Sequence, residues 1–487
     1  MSSVAIVKRA LAHGDSTAII EAGRSYSYRE LYGQSLRVTR FLLSKNGGDL
    51  AGARVGFIVP PGFSYAAVQW GIWSAGGIAV PLPVMYPKAE LEYIVNDCSI
   101  STVIAHDSLR DRVPSVANLY FVSEATLEAD QQLPQIDKDR PAMILYTSGT
   151  TSRPKGVVTT HANIESQVTT LVWAWGWTKN DHTLLVLPLH HVHGLVNVLS
   201  CALWAGAKCE VLPKFDAKAT WSAFARGEIT VFMAVPTIYS KLIAEWESSP
   251  DKKTLSAGCR KMRLMVSGSA ALPVSTLEKW KKISGHTIME RYGMTETGMT
   301  LSNPLVGVRV PGSVGSPLPG VQVRLAGDDG KSVPEGEPGE IQVKSAGVFK
   351  EYWNRPDATK QAFTPDEWFC TGDVAVREND VYRILGRKSV DIIKTGGYKV
   401  SALEIEEALR THPAVSDCAV VGVDDKVWGQ KVCAAVIAKK QIEPTSLRSW
   451  AKERLAPYKV PVEIKIVDEL PRNALGKPVK PEVARMF

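Results

Sequence analysis

Tyr146-Thr147-Ser148-Gly149-Thr150-Thr151-Ser152-Arg153-Pro154-Lys155-Gly156 is the stretch from which the rest of the chain can be read. It follows an apolar run, Ala142-Met143-Ile144-Leu145, that predicts a buried strand, and it precedes an amphipathic stretch that starts at His161. Five Ser/Thr hydroxyls, two glycines and one lysine in a short loop supply many hydrogen-bond donors and one mobile cation. A polyphosphate, whose charge is spread over several oxygens, needs that combination. The loop is not a Walker A sequence, because the spacing after Gly149 is wrong and Pro154 stands where a second glycine should precede the lysine. An ordinary polar βα loop is the plain alternative. The strand before it and the Pro-Lys-Gly ending favour a loop that handles ATP.

Outward from this loop the chain alternates. From about residue 17 to residue 240, apolar runs such as 54–59, 76–80, 102–105, 183–187, 208–212 and 229–235 are separated by helix-length amphipathic segments. That alternation predicts parallel βαβ units with helices on both faces. After about residue 304 the texture changes. Pro311-Gly312, Pro317-Leu318-Pro319-Gly320, Pro334-Glu335-Gly336 and Pro338-Gly339 punctuate runs at 321–325 and 340–343. These predict antiparallel hairpins and a small barrel. From about residue 388, a helix at 402–410 and strands at 418–423 and 432–438 predict a compact α+β unit.

The bulk properties set limits. The chain has 487 residues, 45% hydrophobic and 22% charged, which is ordinary globular composition and long enough for more than one domain. No uninterrupted apolar run approaches the roughly 18 residues of a spanning helix. The first residues read neither as a signal peptide nor as a transit peptide, so a cytoplasmic protein is expected. The seven cysteines are scattered without a Cys-x-x-Cys pair, which predicts free buried thiols and no zinc or disulfide framework. The net charge of +7 leans toward the C-terminal hundred residues and suits a phosphate-bearing ligand; no basic run is long enough to predict nucleic-acid binding.

With these motifs in place, the chain resembles the adenylate-forming superfamily of acyl-CoA synthetases, peptide-synthetase adenylation domains and luciferases. The family's loop reads Thr-Ser-Gly-Thr-Thr-Gly-x-Pro-Lys-Gly, and this chain departs once, with Ser152 for the second glycine. A serine there enters positive φ less readily than glycine. The resemblance covers nearly the whole chain. It implies an α/β fold: a large N-terminal ATP- and acyl-binding domain (1–387) of α/β subdomains plus a small β-barrel, and a mobile C-terminal α+β lid domain (388–487). It assigns Thr147, Ser148, Gly149, Thr150, Thr151 and Lys155 to the phosphates. In Glu290-Arg291-Tyr292-Gly293-Met294-Thr295-Glu296-Thr297 it implies that Tyr292 packs on adenine beside Gly293, Thr295 bonds a phosphate and Glu296 binds Mg²⁺. A helix-start cap at Thr295 and Glu296 is the plain alternative. Ser267-Gly268-Ser269-Ala270 resembles the family's segment under the adenine. A nucleophilic serine is disfavoured there, since Gly-x-Ser-x-Gly is incomplete. Asp373 in Thr371-Gly372-Asp373 is implied to hold the ribose, and Arg387 in Gly386-Arg387 to approach ribose or phosphate.

Pro471-Arg472-Asn473-Ala474-Leu475-Gly476-Lys477 resembles the catalytic segment whose lysine, here Lys477, contacts the acyl carboxylate and the α-phosphate; Asn473 replaces the usual threonine. An exposed surface lysine is the alternative. Eight residues, not the usual seven, separate Arg387 from Gly396-Gly397, so the hinge is Ser389, Val390 or Asp391. Gly396, Gly397, Tyr398 and Lys399 are implied to form the loop that serves the thioester half-reaction with coenzyme A.

The acid being activated turns on Arg291. An arginine beside the nucleotide suffers desolvation unless an anion joins it, and a guanidinium pairs with a carboxylate through two parallel hydrogen bonds. Glu-Arg-Tyr-Gly-Met-Thr-Glu-Thr and Leu187-Pro188-Leu189-His190-His191-Val192-His193-Gly194 look like the malonyl-CoA synthetase branch. That resemblance implies His191, Ser267, Met294 and Arg291 around the acyl group and the conversion of malonate, or methylmalonate, to malonyl-CoA with ATP, Mg²⁺ and coenzyme A. A salt bridge from Arg291 to Glu290 or Asp373 is the structural alternative. A zinc site at His190, His191 and His193 lacks HExxH spacing. Three functional alternatives remain open: a medium- or long-chain acyl-CoA synthetase walled by residues 173–177, an enzyme that loads a carrier protein, and a catalytically silent binding protein.

Overall fold

The computed structural model describes residues 2–125, 132–147, 154–472 and 478–487, without the Lys399 side chain. Two large sheets carry most of the core. The first has seven strands in the order Glu351–Tyr352, Lys155–Thr160, Pro141–Thr147, Ile78–Pro81, Arg54–Ile58, Thr102–Ala105, Asn118–Phe121. The second has nine, in the order Ser316–Pro317, Gly298–Ser302, Met289–Met294, Leu264–Ser267, Val231–Ala234, His182–Leu185, Lys208–Val211, Thr17–Glu21, Arg24–Ser27. Their central strands are parallel and read as continuous apolar runs, as strands covered on both faces must.

Antiparallel pairs appear toward the edges, and there the structure departs from a plain βα alternation. The Ser/Thr-rich loop joins two antiparallel strands: Thr147 ends one and pairs with Lys155, which starts the other. The helix His161–Ala174 begins only after the second strand. Thr160 and Asn163 cap each other there, Asn163 N to Thr160 Oγ1 at 3.1 Å and Thr160 N to Asn163 Oδ1 at 2.9 Å. The Ser/Thr-rich stretch between the two strands carries no apolar period, so periodicity does not announce the second strand.

The helix Phe63–Ser74 joins the two sheets. It is buried from Tyr65 to Ser74. At one end the Tyr65 hydroxyl donates to Leu189 O (2.7 Å), beyond the nine-stranded sheet's His182–Leu185 strand. At the other, Trp73 Nε1 donates to Ala142 O (2.8 Å) in the seven-stranded sheet. A helix that is apolar all round belongs between two layers.

The hairpin region forms a four-stranded antiparallel sheet, Gln322–Ala326, Gly339–Lys344, Phe369–Glu378, Val381–Arg387, whose pairs run in a line. Beyond it a five-stranded sheet (Tyr398–Ser401, Ile392–Thr395, Gly429–Ala438, Val415–Asp425, with Glu463–Ile466 parallel to Gly429–Ala438) packs on the helix Ala402–Arg410. All seven thiols are free, with Cys370 half-buried and the other six buried. Among the described residues no helix is long and apolar enough to cross a membrane.

Polar groups enter the core at Met289–Met294. Glu290 is 7% exposed, accepts a hydrogen bond from Gly312 N at 2.9 Å, and has its carboxyl pushed up to about 8 by burial and, further, by the charge of Glu407. A carboxyl whose folded-state value lies above its ordinary 4.5 keeps its proton in the folded chain while the unfolded chain releases it. Stability is therefore lost as pH rises from about 4.5 toward about 8. Glu290→Gln removes that dependence. Thermal melts across this range should show the variant gaining on the wild type as pH rises; a constant difference in Tm would refute the buried, proton-holding carboxyl.

Candidate active site

Adjacent residues of a strand point to opposite faces, so Glu290 and Arg291 cannot neutralise one another although they are neighbours in sequence. Arg291 is 3% exposed. Its Nε and Nη2 are buried without a hydrogen-bond partner among the described residues. Burial alone, with no counter-charge to oppose it, pushes the guanidinium down to about 9. The salt-bridge alternative therefore finds no carboxylate. Glu290 faces away, and Asp373 has Arg387 Nε at 2.8 Å and the Tyr292 hydroxyl at 2.5 Å. Gly268 makes the approach possible, since a Cβ there would stand 2.4 Å from the Arg291 guanidinium carbon.

Ser267 lies on the neighbouring parallel strand in register with Glu290, and so on the face of the sheet that Glu290 takes; its buried hydroxyl has no partner among the described residues. Ser269 follows Gly268 at φ +69°, a conformation most side chains avoid and one that recurs at functional sites. Its Oγ lies 3.3 Å from His193 Nδ1. Burial, then the charges of Arg291 and His191, holds His193 well below the ordinary histidine range, so the ring is neutral. The sequence reading placed His191 at the acyl group. The geometry puts His193 against Ser269 and within the field of Arg291, while His191 packs its ring on His190 at 4.3 Å. The signal for His193 was faint: it opens the π-helical segment His193–Ser200, which a histidine cluster alone does not reveal. Among the described residues no three His, Cys, Asp or Glu side chains gather as a metal-binding group.

Met294 ends the strand half-buried and packs with Phe349 and Phe369. Gly293 is required by close packing, a Cβ there falling 2.1 Å from Gly298 O. Trp173 is 74% exposed whereas Trp175 and Trp177 are buried, so residues 173–177 do not form one acyl wall.

Two further groupings stand along the same strand. Tyr292, Asp373 and Arg387 form one; Asp373 and Arg387 are register partners across Phe369–Glu378 and Val381–Arg387. Glu296, Tyr352 and Lys155 form the other. Glu296 is 6% exposed, and burial raises its carboxyl above the usual range against the opposing hydrogen bond from the Tyr352 hydroxyl, 2.9 Å from Oε1. Lys155 Nζ lies over the Tyr352 ring, 5.1 Å from its centre. Tyr352 was missed by sequence reasoning because it reaches the site only through a two-residue strand that pairs with Lys155–Thr160. A buried carboxylate with one neutral donor and a lysine nearby fits Mg²⁺, which takes one or two carboxylates and fills its other positions with phosphate and water. Thr295 lies half-buried between the two groupings, and Ala270 is exposed beside Ser269. Ser148, Gly149, Thr150, Thr151, Ser152 and Lys477 lie outside the described residues.

The C-terminal motifs are partnered within their own sheet. Gly396 and Gly397 take φ of +55° and +83° between Thr395 and Tyr398, the two-residue hairpin turn that requires positive φ twice. Trp428 lies over Gly396, and Tyr398 stacks on Tyr458 at 4.2 Å. The three hinge candidates fall in a turn in which Val390 N and Asp391 N donate to Arg387 O and Asp391 Oδ2 accepts from Arg387 N at 3.0 Å.

Comparison with known proteins gives these groupings a common context. Residues 6–353 match the AMP-binding enzyme family, and residues 404–477 match the AMP-binding enzyme C-terminal domain. The mitochondrial malonate–CoA ligase of Mus musculus is 47% identical over 100% of this chain and 91% of its own length. ATP-bound MatB of Rhodopseudomonas palustris superposes with a TM-score of 0.91 at 34% identity, over 100% of this chain and 99% of that one. The Bacillus subtilis O-succinylbenzoate coenzyme A synthetase, solved with ATP and magnesium, superposes at 0.87 with 27% identity, covering 98% of each chain. Strand order, buried arginine and tyrosine–aspartate–arginine grouping thus sit in a fold shared from end to end, and the chain belongs to the AMP-binding enzyme family.

Proposed function

We propose that this chain is an acid–thiol ligase that converts malonate to malonyl-CoA in two steps, with ATP, Mg²⁺ and coenzyme A. The observation that carries the choice of acid is Arg291, a buried guanidinium with two nitrogens unsatisfied among the described residues. A dicarboxylate can place one carboxylate on Arg291 and leave the other to react. A monocarboxylate leaves the cation buried and unpaired, at a cost on the order of 2–5 kcal/mol. Neutral His193 and the hydroxyl of Ser269 add uncharged polar contacts around that carboxylate. A methyl branch changes pocket affinity by only about 1–3 kcal/mol, so methylmalonate is a second substrate. The names of the relatives agree with this acid.

In the first step an oxygen of the free malonate carboxylate attacks the α-phosphorus of ATP, and the bond to pyrophosphate breaks. Tyr292, Gly268, Ser269 and Ala270 hold the adenine side, Asp373 and Arg387 the ribose, and Thr295 a phosphate. Arg387 Nε lies on Asp373 Oδ1 and the Tyr292 hydroxyl on Oδ2, and a carboxylate oxygen can accept a second hydrogen bond, here from a ribose hydroxyl. Residues 147–151 and Lys155 flank the β- and γ-phosphates. Glu296 would hold Mg²⁺, which would supply positive charge beside the phosphate oxygens. Lys477 supplies the cation where two anions meet.

In the second step the coenzyme A sulfur attacks the acyl carbon and AMP leaves. Residues 388–487 turn as a lid about 388–391, with Asp391 as the hinge residue, and bring the Gly396-Gly397-Tyr398-Lys399 loop to the site. Asp391 is favoured because its carboxylate bonds Arg387 N on one side and lies 3.6 Å from Lys480 Nζ on the other. For the compartment, the reading is cytoplasmic. The Mus musculus relative is named as mitochondrial, and cell fractionation separates the two.

Pyrophosphate release should be led by malonate and methylmalonate over acetate, octanoate and palmitate, and product should form with free coenzyme A. Arg291→Gln should lower kcat/KM for malonate by roughly 30-fold or more and change that for acetate far less. A fatty-acid-led profile, or equal losses on both acids in a folded variant, would sink the malonate assignment. Lys477→Ala should abolish adenylate formation and spare thioester formation from supplied malonyl-adenylate. Loss of both in a folded variant would contradict its role.

A further inference from the structure

The helix Val274–Ser284 begins without a cap of its own. Its N-cap is Pro273, no side chain of the helix's own segment caps it, and its first turn holds no acidic residue. Such an end leaves backbone N–H groups and the positive pole of the helix unsatisfied. Here the missing acceptor comes from 133 residues away: Val274 N donates to Glu407 Oε1 at 3.0 Å. Glu407 belongs to the helix Ala402–Arg410, beyond the turn at 387–391 and on the side of the chain that carries the five-stranded sheet. The capped helix directly follows Gly268 and Ser269, which press on Arg291 and His193. A second observation places Glu407 at this spot, since its charge is felt by Glu290 on the strand that carries Arg291.

We propose that Glu407 is a positioning residue that holds the C-terminal unit over the nucleotide segment during the first half-reaction by capping the helix Val274–Ser284. The inference rests on the two-step reading above. A cap lent by another unit exists in one arrangement of the two units and is lost in any other. It therefore favours the arrangement seen here, which superposes on the ATP-bound relative, over the rotated one. The contact also reaches the site. Val274 is five residues beyond Ser269, whose φ of +69° and contact with His193 place it at the start of the same segment.

The test compares Glu407→Ala, Glu407→Gln and wild type in three measurements. In malonate-dependent exchange of labelled pyrophosphate into ATP, Glu407→Ala should be about 3- to 30-fold slower, the span of a lost helix cap, with Glu407→Gln in between. Thioester formation from supplied malonyl-adenylate and coenzyme A should be unchanged or faster in both variants. Amide hydrogen exchange without ligands should quicken in Glu407→Ala at residues 274–277 and nowhere in the core of the N-terminal sheets. Equal slowing of both half-reactions, or unchanged protection at 274–277, would overturn the proposal. Failure of the malonate reading shows differently: wild-type exchange would then follow another acid, and the same comparison is run with that acid.

Discussion

A guanidinium in the core with no carboxylate opposite it is the constraint from which the site follows. Removing a cation from water costs several kcal/mol, and the protein accepts that cost at Arg291 without an ion pair among the described residues. Only a rigid setting can hold such a group. Arg291 lies on a strand with a parallel neighbour on one side and an antiparallel one on the other, and Gly268 alone leaves room for its head group. An unsatisfied charge held in this way is complementary to an anion that has yet to arrive. The binding energy of that anion is available because the fold has already met the cost of desolvation.

The same strand organises the remaining chemistry. Glu290 points the other way, keeps its proton and binds the backbone at Gly312; Tyr292 reaches Asp373; Glu296, just past the strand, meets Tyr352. Three sheets thereby converge on a few consecutive residues. The nine-stranded sheet supplies the strand, the four-stranded sheet supplies Asp373 and Arg387, and the seven-stranded sheet supplies Tyr352 and Lys155. The Phe63–Ser74 helix, buried from Tyr65 onward, fixes the two large sheets relative to one another, so a local substitution at the site is resisted by the whole N-terminal core.

Much of this was legible from residues alone. Apolar runs between turn residues located the parallel strands to within a residue or two, and the 402–410 helix was placed at its observed ends, because an amphipathic segment with a serine cap announces itself. The Tyr292 and Asp373 motifs were recognisable as motifs. Their pairing through a 2.5 Å hydrogen bond was not, since 81 residues separate them. The histidine cluster was legible as a cluster. Which ring meets Ser269 depends on how a π-helical turn places His193, and residue order does not encode that placement simply.

The sequence by itself determined composition, strand and helix periods, the Ser/Thr-rich loop with its lysine, and an arginine just before Tyr-Gly-Met-Thr-Glu. Those features are local, and local patterns carry them. Tertiary structure decided that Arg291 has neither Glu290 nor Asp373 as a counter-ion, that Tyr352 meets Glu296 and His193 meets Ser269, and that Glu407 caps a helix in another part of the chain. Each of these depends on which groups share a small volume after folding. A buried charge is paired or unpaired according to neighbours that only long-range packing brings together.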